Sequence, residues 1–83
     1  MDTIQLHDVV ALKEDTTSKL FSTTRPILLR QGQMGTVVDI LGEGEALEVE
    51  FADSDGQAYA MLAVPAEKLI VLHDEPILLP VKQ

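Results

Sequence analysis

The clearest pattern in the chain is the strict alternation from Ala46 to Ala52. Leu47, Val49 and Phe51 fall on one side of an extended backbone, and Glu48 and Glu50 on the other. A period of two marks a β-strand with one face buried and one in water. Before it, Thr36-Val37-Val38-Asp39-Ile40-Leu41 is a β-branched run that predicts another strand. After it, Gln57–Val64 places Ala58, Ala60, Leu62 and Val64 on one face and Tyr59, Met61 and Ala63 on the other. Both faces of that strand are apolar, so either it is covered on both sides or it presents a contact patch. Asp8–Lys13 predicts a first strand and Leu69–Leu72 a fifth. Helical periodicity, heptads and internal repeats are all absent from the sequence.

Turn chemistry joins these runs. Gly42-Glu43-Gly44 separates two strands as a hairpin turn, and Asp53-Ser54-Asp55-Gly56 separates the next two. Gly32 and Gly35 fit a turn that needs positive φ, followed by a close backbone approach. Pro65-Ala66-Glu67-Lys68 is too short for an ordinary helix and predicts one 3-10 turn before the closing strand. From Glu14 to Arg25 the hydroxyls of Thr16, Thr17, Ser18, Ser22, Thr23 and Thr24 compete for backbone hydrogen bonds, which predicts a long first loop. Leu20 and Phe21 are its expected anchor, and Arg25-Pro26 blocks helix. The expectation is an all-β domain over residues 1–75, a small five-stranded barrel, with a tail over 76–83. Ile77, Leu78, Leu79 and Val81 make that tail apolar, so it either packs back on the barrel or adds to another copy.

The 83 residues make one domain, and with only Phe21, Phe51 and Tyr59 aromatic the core must be aliphatic. Val9, Ala11, Val37, Leu47, Val49, Phe51, Leu62, Leu69 and Val71 are the expected core. There is no cysteine, hence no disulfide and no thiolate metal site. The first eight residues lack the features of a signal peptide, and no apolar run approaches the ~18 residues of a membrane span. A soluble, cytoplasmic protein is therefore expected.

The formal charge is −8, and no basic residue occurs between Arg30 and Lys68, where eight acidic residues fall. That balance argues against nucleic acid, whose affinity comes largely from cationic side chains on phosphates. An acidic stretch is ordinarily a solvated face; its sharper use is as a surface for a basic protein partner.

Candidate chemistry is sparse. Glu48 and Glu50 share a face at ~7 Å spacing, yet paired carboxylates need a cleft to act as acid and base. His7 and His73 sit at the two ends of the expected barrel beside Asp8 and Asp74, and two histidines fall short of the three or four ligands a transition-metal site takes. Gly32-x-x-Gly35 opens a strand rather than a helix and so is no phosphate cradle. No catalytic residue, cofactor or metal is expected.

Three segments in order carry a family resemblance: Gly32-Gln-Met-Gly35-Thr-Val-Val, Leu47-Glu-Val-Glu-Phe51 with Asp55-Gly56, and Leu62-x-x-Pro65-Ala66-x-x-Leu69. Together they resemble the short bacterial proteins grouped as domain of unknown function 4926, over roughly Leu6 to Leu72. The resemblance implies an SH3-like barrel and an accessory or antitoxin-like partner role. It implies no activity. The stretch from Asp15 to Thr24 departs from the group by its length. A looser likeness, Gly-x-x-Gly-x-Val entering a strand, is to the KOW modules of ribosomal and transcription proteins. Those carry basic residues near the turn, where this chain has Arg30 and, further off, Arg25.

The expected function is thus a non-catalytic protein-binding module using Glu48, Glu50, Tyr59 and Met61, with a basic partner. The alternatives are a nucleic-acid-associated module and a protein that self-assembles through Ile77, Leu78, Leu79 and Val81.

Overall fold

A computed structural model describes residues 3–81; Met1, Asp2, Lys82 and Gln83, which the expected domain and tail include, lie outside the described residues. Seven strands form: β1 (Val9–Leu12), β2 (Thr16–Lys19), β3 (Pro26–Leu29), β4 (Met34–Leu41), β5 (Ala46–Ala52), β6 (Ala58–Pro65) and β7 (Leu69–Val71). One 3-10 turn, Ala66–Lys68, precedes β7, with Pro65 at its N-cap. No helix among the described residues is long and apolar enough to cross a membrane.

The strands make two antiparallel sheets, a five-stranded one in the order β6-β5-β4-β1-β7 and a two-stranded one of β2 and β3. The all-β expectation holds. The closed barrel does not: β6 and β7 are the two edges of the larger sheet and do not pair with each other.

β5 lies at the heart of the structure, and the alternation that predicts it is realised in space. Leu47, Val49 and Phe51 are fully buried, while Glu48 and Glu50 between them keep access to water. Around them Val10, Leu12, Leu29, Val37, Val64 and Leu69 complete the buried cluster. The β4–β5 and β5–β6 turns fall where the glycine and Asp-Gly signals put them. Asp53 organises the second: its Oδ1 accepts the N–H groups of Asp55 at 2.9 Å and Gln57 at 3.0 Å. Gly35 is buried in the β4 backbone, and a Cβ there would stand 2.5 Å from Val49 Cγ1 and 3.0 Å from the Glu50 carbonyl oxygen. Gly32, at φ +88°, supplies the left-handed residue of the preceding turn.

Two further expectations are corrected, the long first loop and part of the core. The Glu14–Arg25 stretch is not one long loop. Thr16–Lys19 pairs with Pro26–Leu29, and the threonines, being β-branched, sit as readily in a strand as in a turn. That hairpin sends Leu29 into the core at 1% exposure, and the Phe21 N–H donates to the Tyr59 carbonyl to hold its far end. In β1 the inward residues are Val10 and Leu12, whereas Val9 is 43% exposed. Four apolar residues in a row offered no alternation from which to choose the face. Leu62 and Val71 are half-buried and pack on the core from its margin. Of the two alternatives open for the tail, the single chain does not show packing back on the sheet: Ile77, Leu78, Leu79 and Val81 are 79–90% exposed.

Candidate functional site

Register assembles one continuous outer face from distant residues. Leu72 donates its N–H to the Val9 carbonyl, Val9 stands opposite Thr36, Thr36 opposite Glu50, and Glu50 opposite Met61. This row runs from the residue just past β7 across β1, β4, β5 and β6 of the larger sheet. A second row runs beside it through Ile70, Ala11 and Met34. A third joins Asp39, Glu48 and Ala63. Cross-strand neighbours on one face are in side-chain contact range, so the rows form a patch rather than scattered residues.

The patch has two halves. On β7, β1 and the start of β4 it is apolar, with Met34 60%, Ile70 51% and Val9 43% exposed. Ala11, small and set between Met34 and Ile70, is almost covered at 5%. On the other half Asp39, Glu48 and Glu50 supply carboxylates, and Met61 beyond them is again apolar. Two shallow depressions flank Val9 and Met34. One of about 270 Å³ reaches Leu72, His73 and Asp74, and one of about 180 Å³ reaches Thr36, Glu50 and Ala52.

Of the four residues expected to share a surface, the structure brings together Glu48, Glu50 and Met61. Tyr59 is turned away. Phe51 pairs with Ala60 and Ala52 with Ala58, which leaves Tyr59 as the extra residue of a β-bulge. Its ring packs against the core, and its hydroxyl accepts a hydrogen bond from the Gln33 side-chain amide. A bulge shifts the alternation by one residue, so counting by twos from Ala58 misplaces Tyr59. Met34, Ile70 and Val9 are the residues that sequence reasoning missed. Their signal was weak, because β1 has no polar position to mark its outer face.

Of the remaining candidates, His73 borders this face through the larger depression, and His7, Arg25 and Arg30 line neither depression. His7 sits in a tight turn at φ +72°, and His73 lies past the end of β7 at the rim of two depressions. Among the described residues no three His, Asp or Glu side chains gather where a metal ion would fit. Arg25 closes the turn between β2 and β3, and Arg30 opens the turn after β3; both are exposed.

Fold and face together define a small antiparallel all-β domain carrying a mixed apolar and acidic sheet surface. A family model described as domain of unknown function (DUF4926) matches residues 6–71, and the chain belongs to that family. The match takes in all seven strands and ends at the last residue of β7. No curated protein and no solved structure matches the chain.

Proposed function

We propose that this chain is a non-catalytic protein-binding module of SH3-like architecture that takes its partner on the outer face of the five-stranded sheet. The observation that carries the reading is the row-by-row continuity of exposed Ile70, Val9 and Met34 with Glu48, Glu50 and Met61. An aliphatic centre that excludes water beside carboxylates that select charge fits a partner surface with an apolar core and Lys or Arg at its rim. The accessory, antitoxin-like role implied by the family resemblance is of this kind. Glu48 and Glu50 lie on an open sheet face rather than in a cleft, which suits recognition better than acid–base work.

Affinity capture from native lysate, with nuclease, tests the reading. One stoichiometric protein should be retained by the parent chain and lost by Met34→Asp and by Glu50→Lys, both of which alter exposed or half-exposed positions. A partner held equally by both variants would remove this face from the function. Ribosomal or transcription proteins that disappear on nuclease treatment would replace it with a nucleic-acid role around Arg25 and Arg30.

A further inference from the structure

The free edge of β7 and the exposed segment 77–81 are complementary in ways independent of the outer face. The N–H of Leu72 donates to Val9, and the N–H of Lys13 to the Lys68 carbonyl. Antiparallel pairing alternates, so residues 68, 70 and 72 point their main-chain groups at β1. Those of Leu69 and Val71 therefore point the other way, towards an edge that no described strand covers; the Leu69 N–H donates to the Ala66 carbonyl of the 3-10 turn, which leaves the Leu69 carbonyl and both main-chain groups of Val71 for a partner. Beside that edge runs a groove of about 570 Å³, lined by Ile4, Ala66, Leu69 and Val71 with Thr3 and His73 at its rim. Leu69 and Val71 face the core side, and Ile4, which also lines the groove, packs on the same core.

The segment Ile77-Leu78-Leu79-Pro80-Val81 has the matching chemistry. As a strand, it would direct the N–H groups of residues 77, 79 and 81 to one edge and those of 76, 78 and 80 to the other. Pro76 and Pro80 both lack an N–H, so the second edge is mostly disabled and the first is complete. Only antiparallel addition to β7 sets the complete edge against Leu69 and Val71 while keeping Ile77, Leu79 and Val81 on the core side of the sheet. In the single chain the segment does not take that place. It lies 79–90% exposed at its apolar positions, and the molecule is 61 Å long against 30 and 20 Å in its other dimensions.

We propose that residues 77–81 of one copy add as an antiparallel strand to the β7 edge of a second copy, filling its groove with Ile77, Leu79 and Val81. The exchange is reciprocal, since each copy offers both an edge and a strand, and the assembly it closes is a dimer.

Sedimentation equilibrium of the full chain, together with hydrogen exchange at the Val71 amide, tests this. A mass of twice 9.1 kDa is expected. Leu79→Asp should return the mass to one chain and speed exchange at Val71 at least about tenfold. Leu78→Asp, on the opposite face of the segment, should leave both readings as in the parent. A single-chain mass with a protected Val71 would mean that the segment folds onto its own edge, and one with an unprotected Val71 would leave that edge unpaired. A dimer that survives Leu79→Asp would place the contact elsewhere, such as the outer sheet face. A dimer lost equally in both variants would show undirected apolar association. Each of these four results overturns the proposal.

Discussion

The side-chain amide of Gln33 joins the turn before β4 to Tyr59, 26 residues further along the chain. Its Oε1 accepts the Arg30 N–H at 3.0 Å, and its Nε2 donates to the Tyr59 hydroxyl. One planar group thus fixes the shape of a turn and its distance from the β6 bulge. Tyr59→Phe keeps the ring against the core and deletes only the acceptor, so it should lower stability by about 1 kcal/mol. Urea unfolding measures this. Partner capture by the same variant should be unchanged, because the hydroxyl is directed at Gln33 rather than at the outer face.

The two glycines before and within β4 should fail for different reasons. Gly35→Ala forces a methyl against the Val49 side chain, the Glu50 carbonyl and the Phe51 ring, two of which belong to fully buried residues. A loss of about 3 kcal/mol is expected. Gly32→Ala meets nothing within 4 Å and suffers only from its φ of +88°, at a cost of about 1 kcal/mol. The ranking of the two urea midpoints is the check.

Neighbouring valines in β1 give a test of which face is inward. Val10→Ala empties a fully buried position and should cost roughly 2 kcal/mol. Val9→Ala, on the exposed side, should stay within about 0.5 kcal/mol. Equal losses would contradict the register that sets Val10 opposite Gly35 and Val71.

At the β5–β6 turn, Asp53→Ala removes an acceptor shared by two N–H groups on an exposed loop. About 1 kcal/mol should be lost, and Asp53→Asn, which keeps a carbonyl oxygen there, should recover most of it. Thermal melts of the two variants side by side decide the point.

Where polar and apolar residues alternate, the chain could be read directly: Leu47, Val49 and Phe51 inward, Glu48 and Glu50 outward. Where every residue is apolar, as from Val9 to Leu12, the inward face is chosen by neighbours that lie far off in sequence. Thr16 and Thr17 carry both a β-branched carbon and a competing hydroxyl, and pairing with Leu29 and Leu28 decides between them. A bulge, a feature of strand pairing that no single strand displays, turns Tyr59 away from the face that simple alternation predicts. The candidate face was accordingly half legible. Its acidic part lies along one strand, and its apolar part exists only after β7, β1 and β4 are laid side by side.

The placing of β1 between β4 and β7 also bears on how the chain reaches this state. Val10 needs Gly35 on one side and Val71 on the other, so the earliest of the described strands is the last to acquire its full set of neighbours. The hairpins from β4 to β6 close through short loops, whereas β1 must wait for distant partners and is held back by loop closure. During synthesis the middle of the domain can therefore organise first. Closure between the two ends is then the step expected to set the rate at which the whole fold locks.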